Sequence, residues 1–265
     1  IGGAEGAAKK LVFTALKNKK HVVTANKALI AKYGDQLSKI AEKNNVNLEF
    51  EASVCGGVPI IRSLKESLIA NKISRIYGIF NGTSNYILTC MDKQNKSFDE
   101  VLSNAKSLGY AESNPSSDLN GDDVSSKLKI LSSLCFNSFL NNKIYVEGIK
   151  NIDKTDIDNA NKLGYKIKLL GFAELLNNKI YQRVHPTLIK KETYVASIDG
   201  VLNAVIVDGK PVGKSIIQGE GAGPAATTSA LVSDISSILR GNIKFPFSLS
   251  SKERKKLIFD NISDR

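Results

Sequence analysis

The chain has 265 residues, enough for one large domain or two smaller ones. Its 42% apolar, 7% aromatic and 24% charged side chains are the make-up of an ordinary globular protein. No apolar run approaches the roughly 20 residues of a bilayer span and no basic-then-apolar leader opens the sequence, so neither a membrane partner nor secretion is expected.

The formal charge of +11 raises the question of a nucleic-acid partner. The basic residues are spread along the whole chain, often beside Asn, with no arginine-rich block and no recognisable nucleic-acid module. Solvated lysine faces account for the excess better, and no nucleic-acid partner is expected. Cys55, Cys90 and Cys135 are scattered and lack CxxC spacing. That pattern argues against a disulfide framework or a zinc site and suits a reducing cytoplasm.

In chain order, Ile1-Gly2-Gly3 reads as the end of a strand and its turn, which implies that the sequence starts inside a domain. A helix is predicted over Ala7 to Leu16, a short β-branched strand at His21 to Thr24, a helix marked by Leu37, Ile40 and Ala41, and a strand from Leu48. This alternation of strand and helix implies a parallel sheet with crossover helices. Ile61, Leu64 and Leu68 mark an amphipathic helix, and Arg75 to Phe80 reads as a buried strand. Asn81 to Asn85 is expected to form a tight polar turn that supports a site without acting in it. Ser97 to Leu108 is a helix with a Ser97/Glu100 capping box and Gly109 past its end. A polar loop then leads into a helix from about Asp122 to Phe136. Residues 144–207 carry strand-like runs and at least one helix, as in an α+β domain with a mainly antiparallel sheet. Gly219 to Gly223 is a glycine-rich turn before a helix from Thr227 to Arg240, and 243–265 reads as a charged linker or frayed tail.

The chemistry concentrates in Gly109 to Lys127. Glu112, Asp118, Asp122, Asp123 and Lys127 fall within sixteen positions across a loop and a helix start. Asp123 and Lys127 are four apart and share a helix face at the edge of the apolar stripe formed by Val124, Leu128, Leu131 and Cys135. Spacing alone leaves two readings open. One is a partly dehydrated site with shifted pKa values, the other a surface ion pair with ordinary helix-entry acids.

The string AKSLGYAESNPSSDLNGDDVSSK, from Ala105 to Lys127, resembles the signature of the homoserine dehydrogenases. VVTANKAL at 22–29, EASVCGGVPII at 51–61, NGTSNYIL at 81–88 and GEGAGPAATTSALVSDI at 219–235 resemble further motifs of that family in the same order. The resemblance implies an α/β chain. Residues 1–50 would be the C-terminal part of a Rossmann-type nucleotide-binding domain, and 51–218 an α+β substrate-binding and dimerisation domain. Residues 219–242 would return to the nucleotide domain, and 243–265 would be the tail. It also implies NADP- or NAD-dependent interconversion of L-aspartate 4-semialdehyde and L-homoserine, by a homodimer.

By the same resemblance Lys127 is the proton-transfer lysine, and Lys27 lies near both cofactor and substrate. Glu112, Asp118 and Asp123 would receive the substrate, whose ammonium suits carboxylates. Asp123 would also belong to the catalytic set. Gly109, Gly221 and Gly223 would approach the dinucleotide. Glu51 with the backbone carbonyls of Val54, Gly56 and Val58 would hold a monovalent cation such as sodium, oxygen ligands suiting a hard ion. Two lysines sharing a pocket are expected to depress each other's pKa. Read without the family, Lys27 is a surface lysine at a helix start and Gly109 a helix-terminating glycine. The family's GxGxxG phosphate loop is expected to precede residue 1. A form without it would bind dinucleotide poorly, so an inert fragment keeping only the substrate and dimerisation domain is the alternative. A related dehydrogenase acting on another amino-acid-derived aldehyde is a third reading.

Overall fold

The computed structural model describes residues 2–139, 143–241 and 245–259. The first part is a β–α–β segment. Helix α1 (Ala7–Lys17) buries Ala8, Val12 and Leu16, and leads to the short strand β1 (Val22–Val23). Helix α2 (Lys27–Asn44) starts where the Asn26 side chain accepts the Leu29 N–H at 3.0 Å, and stops at Asn45 in the left-handed region. It carries the chain to β2 (Leu48–Glu49), which pairs in parallel with β1. In parallel sheets ligands lie beyond the carboxyl ends of the strands. Here those ends lead into Thr24–Lys27 and into the 3₁₀ turn Glu51–Ser53.

Helix α3 (Ile60–Arg62) continues as a π turn over Ser63–Ser67, so the predicted amphipathic helix is present in an irregular form. Strand β3 (Lys72–Ile79) is followed directly by α4 (Gly82–Gln94). The Asn81 to Asn85 turn is therefore the first turn of that helix, with Asn81 as its cap. Helix α5 (Phe98–Ser107) has the predicted Ser97/Glu100 capping box. A one-turn helix α6 (Ser116–Leu119) precedes α7 (Asp122–Phe136), whose bounds match the prediction from its apolar stripe.

The rest is dominated by one sheet. Strand β4 (Tyr145–Val146) and helix α8 (Lys154–Lys162) precede the twelve-residue hairpin arms β5 (Tyr165–Leu176) and β6 (Lys179–Lys190). Asn177 and Asn178, with φ of 51° and 60°, turn that hairpin, since Asn tolerates positive φ better than most residues. Strands β7 (Leu202–Lys210) and β8 (Gly213–Glu220) complete the order β4-β6-β5-β3-β7-β8. The β3–β5, β3–β7, β5–β6 and β7–β8 pairs are antiparallel, as the α+β reading expects. Helices α4, α7 and α8 lie on one face of the sheet. The main core joins Val124, Leu128 and Leu131 of α7 to Phe80, Leu169 and Ala173 and runs on into Leu29 and Leu37 of α2. A smaller cluster, including Ile79, Leu170, Ala204 and Ile206, sits on the other face.

Helix α9 (Pro224–Leu239) starts three residues before the predicted Thr227, because Pro224 at its first turn suits a helix start. It returns to β1 and the Glu51 turn. Residues 245–259 do not form the expected linker or frayed tail. Phe247 is fully buried against Phe50 and Phe139, with ring centroids 5.1 and 4.4 Å away. A 3₁₀ turn at Ser251–Glu253 follows, and strand β9 (Ile258–Phe259) pairs with β6. The other positions of the predicted tail, 243–244 and 260–265, lie outside the described residues.

Candidate active site

Four segments meet at the N-terminal end of α7. The apolar stripe of α7 packs on the sheet, which draws its neighbours Asp123 and Lys127 under the surface; their side chains are 5% and 11% exposed. One carboxylate serves two lysines. Asp123 Oδ2 lies 2.7 Å from Lys127 Nζ, and Oδ1 lies 3.0 Å from Lys27 Nζ, which reaches across from the start of α2. Lys127 Nζ also donates to the Phe80 carbonyl at 2.6 Å, at the end of β3. Asn81 donates from Nδ2 to Asp118 Oδ1 at 2.8 Å and to Asp123 Oδ2 at 2.9 Å, while its Oδ1 caps α4 through the Ser84 N–H.

The electrostatics follow from this wiring. Burial alone would raise the Asp123 pKa, but Lys127, Lys27 and the Asn81 amide hold it well below the carboxylate range. Burial works to deprotonate Lys127, yet Asp123 outweighs it and the ammonium is held above its ordinary value. The expected mutual depression of the two lysines therefore does not occur at Lys127, because a carboxylate stands between them. Asp118 is pushed up, first by burial and then by the Asp123 charge, with Asn81 acting in the opposite sense. The surface-pair reading of Asp123 and Lys127 fails on burial.

The other predicted residues sit around this cluster. Glu112 is exposed and, among the described residues, makes no ion pair or hydrogen bond, so its carboxylate is free for a ligand. Its loop is tied to the site by Thr83 Oγ1, which donates to the Tyr110 carbonyl at 2.7 Å. Asp122 is exposed at the first turn of α7. Gly109 ends α5 with φ of 76°, and no atom lies within 4 Å of where a Cβ would stand; Gly223, with φ of 108° before α9, is equally open. Gly221 is different. A Cβ there would meet Asn203 Cγ at 2.1 Å, so its backbone lies hard against a buried amide. Asn203 is fully buried, and among the described residues its amide meets the geometric criteria for a hydrogen bond at neither end.

Glu51 is buried, and its carboxylate accepts the Ile61 and Arg62 N–H groups at 2.9 and 2.7 Å. Burial pushes it up to about 7, the two amides pulling down and Asp234 pushing further up. The loop after it passes Val54, Gly56 and Val58. It is pinned to the end of β8 by the Gly57 N–H on the Glu220 carbonyl at 2.9 Å, so the carbonyl-bearing turn and the Gly221 turn are in contact. Among the described residues no group of three or more His, Cys, Asp or Glu forms a metal cluster.

Sequence reasoning undervalued Asn81 and missed Asn203 and the Phe80 carbonyl. An Asn directly before a helix was the available signal for Asn81. A backbone carbonyl has none.

The strand ends of a β–α–β segment facing a carboxylate-rich antiparallel-sheet domain define a protein of the Rossmann-containing α/β class, with separate nucleotide and substrate parts. Residues 59–236 match the family model for homoserine dehydrogenase, and residues 2–51 match that for the homoserine dehydrogenase NAD binding domain. The chain belongs to the homoserine dehydrogenase family. A homoserine dehydrogenase of Neisseria gonorrhoeae is 48% identical over 239 residues, covering 90% of this chain and 55% of that protein. One of Pseudomonas aeruginosa is 43% identical over 247 residues, covering 93% and 57%. The chain thus spans little more than half the length of these relatives. The crystal structure of a Thiobacillus denitrificans homoserine dehydrogenase superposes with a TM-score of 0.93 at 43% identity, over 98% of this chain and 62% of that one. A hyperthermophilic archaeal homoserine dehydrogenase in complex with NADPH gives 0.77 at 29% identity, over 90% and 70%.

Proposed function

We propose that the protein interconverts L-aspartate 4-semialdehyde and L-homoserine with NADP or NAD, Lys127 moving the proton. The observation that carries this reading is one buried carboxylate, that of Asp123, bridging Lys127 and Lys27. A bound nicotinamide supplies the hydride in one direction and accepts it in the other. Hydride added to the aldehyde carbon leaves negative charge on oxygen, which needs a donor within hydrogen-bond reach. The Lys127 ammonium, kept charged by Asp123 and steadied by the Phe80 carbonyl, is suited to give that oxygen its proton. In the oxidative direction the hydroxyl proton would pass to Lys127 in its neutral amine form, which the Asp123 charge disfavours.

Glu112, Asp118 and Asp123 would receive the substrate's ammonium, with Asn81 fixing the last two. The open positions at Gly109 and Gly223 fit a flat cofactor ring, since no side chain stands there, and Lys27 at 41% side-chain exposure can reach both cofactor and substrate. A sodium-like cation also fits. Glu51 is buried without an ion-pair partner among the described residues, and each of its oxygens has a lone pair left. With the carbonyls of Val54, Gly56 and Val58, such an ion would neutralise that charge and stiffen the turn against Gly221.

A homodimer is proposed through the open face of the sheet. Tyr77 and Phe172 pair there at 6.2 Å, and Arg75 and Arg183 lie 5.5 and 4.3 Å over their rings. Cys55, Cys90 and Cys135 are free thiols, which favours a reducing cytoplasm. The test is homoserine-dependent reduction of NADP and NAD by the whole protein, beside Lys127→Ala. Loss of at least a hundredfold in rate with the fold intact supports the reading. Dinucleotide binding without any response to homoserine would sink the substrate assignment.

A further inference from the structure

We propose that Lys168, on β5, is a positioning residue for the substrate: through Asn85 it fixes the first turn of α4, and that turn holds the carboxylates that receive the substrate's ammonium. The inference rests on the substrate reading above. Lys168 is 2% exposed, and a lysine is almost never so deeply buried unless its ammonium is fully partnered. Its Nζ donates to Asn85 Oδ1 at 3.0 Å, to the Ile198 carbonyl at 2.6 Å and to Asp199 Oδ1 at 3.0 Å. An ammonium has three protons to give, so all of them are committed within the fold and none is left for a ligand.

What Lys168 holds is a turn wired to the active site. Asn85 lies one helical turn after Asn81, on the same side of α4. Asn81 reaches both Asp118 and Asp123. Between the two asparagines, Thr83 Oγ1 donates to the Tyr110 carbonyl in the Glu112 loop, and Ser84 Oγ donates to the Asp118 carbonyl at 2.8 Å. The segments carrying Glu112, Asp118 and Asp123 are thus all tied to Asn81, Thr83 and Ser84. From its other side the same turn is gripped by the loop before β7. Asn85 Nδ2 donates to the Ile198 and Leu202 carbonyls at 3.1 and 3.2 Å, and the Gly200 N–H donates to Thr89 Oγ1 at 3.2 Å. The Val201 carbonyl lies 2.6 Å from where a Cβ on Gly82 would stand, so the loop meets the helix backbone directly. Lys168 joins strand, loop and helix: it bonds the loop twice and Asn85 once, and so sets where the turn stands relative to the site.

Steady-state kinetics and amide hydrogen exchange on the whole protein test this with Lys168→Met, Asn85→Leu, their double variant and Lys166→Met. Lys166 faces Asp199 at 3.7 Å and Asp92 at 3.5 Å, and controls for the loss of a charge from the same strand. A displaced ammonium subsite weakens substrate binding, so Lys168→Met is expected to raise the homoserine KM about tenfold while the dinucleotide KM stays within about twofold. Lys166→Met is expected to leave both KM values within about twofold. A merely structural role would instead lose folded enzyme, lowering the apparent kcat at unchanged KM. Asn85→Leu breaks the same contact and is expected to show the same rise, which keeps the test open if Lys168→Met does not fold. The double variant is expected to be no worse than the worse single one, as for two residues acting through one contact. The Ser84 and Asn85 amides, bonded to Asn81 Oδ1 and the Asn81 carbonyl, are expected to exchange about tenfold faster in Lys168→Met, while the amides of α7 keep their rates. An unchanged homoserine KM, additive KM increases, or exchange that quickens equally in α4 and α7 would each overturn the proposal. The exchange readout needs no substrate. A wild type indifferent to homoserine would therefore sink the function proposed above, while the hold of Lys168 on α4 stands or falls on exchange at Ser84 and Asn85.

Discussion

Asp123 and Lys127, one helical turn apart on α7, form a 2.7 Å ion pair whose members are both buried, and Asp123 has a second lysine on its other oxygen. Removing one partner of a buried pair leaves an uncompensated charge, which costs far more than removing both. Asp123→Asn and Lys127→Met are each expected to lower stability by about 3–5 kcal/mol, and the double variant by clearly less than their sum. Urea unfolding of the four proteins measures the coupling. Additive losses would mean that the two charges do not act as a pair.

The same pair sets a pH window. Asp123 has a folded pKa below its unfolded value of about 3.9, so its contribution is fully present above about 3.9 and is lost as pH falls from there through the lower, folded value. Lys127 is raised, so its contribution is fully present below about 10.4 and is lost as pH rises through the folded value. Asp118 is shifted upward, and its ionised form therefore works against the fold at neutral pH. Glu51, raised to about 7 by burial, subtracts stability as pH climbs from about 4.3 towards that value, so stability is expected to level off only between about pH 7 and pH 10. Asp118→Asn should be neutral or slightly stabilising at pH 7, where Asp123→Asn is costly. Denaturation midpoints from pH 3 to 11 check both limbs.

Asn81 joins three functions in one side chain: helix cap, partner of Asp118 and partner of Asp123. A lost cap costs about 1 kcal/mol, and a hydrogen bond to a charged group about 1.5–3. Asn81→Ala is expected to cost about 2–4 kcal/mol in all, with Asn81→Ser recovering the cap alone. Thermal unfolding of the two variants separates these contributions, and equal losses would mean that the carboxylate contacts carry the cost.

Much of this site could be read in advance because it is local. The spacing of Asp123 and Lys127 defined their shared face, the Ser97/Glu100 box marked α5, and the apolar stripe bounded α7. What escaped was non-local. That Lys27, almost a hundred positions earlier, shares Asp123 depends on how α2 packs beside α7. The Asn177–Asn178 turn and the twelve-residue register it sets went unread, because residues 144–207 showed only strand-like runs. The tail failed because its lysines and arginines suggested solvent, while one residue, Phe247, decided its position.

Gly221 approaches Asn203 so closely that a methyl group would overlap the buried amide. Gly221→Ala is expected to cost about 1–3 kcal/mol, the usual range for overpacking. Because the conflict is with one side chain, Asn203→Ala in the same chain should restore most of the loss. Unfolding free energies of the cycle test this. If the second substitution restores nothing, the strain lies in the backbone contact between Gly221 and Gly56.

Phe247 offers the sharpest test of how the tail is held. Its ring is wholly buried between Phe50 and Phe139, and its tip stands 2.8 Å from where a Cβ on Gly34 would lie. Arg254, farther along, pairs with Asp35 and Glu42 of α2 and lies 4.9 Å over the Phe139 ring. A linker would contribute nothing to the fold, whereas a packed strap contributes like a core segment. Phe247→Ala is accordingly expected to cost about 3–5 kcal/mol, and Gly34→Ala to destabilise through the same contact. Lys252→Ala, on the exposed side of the same segment, should have no measurable effect. Phe50 directly precedes Glu51, so loosening it should also speed amide hydrogen exchange in the Glu51–Ser53 turn. Exchange confined to residues 245–259, with the turn still protected, would mean that the strap stabilises α2 without reaching the site.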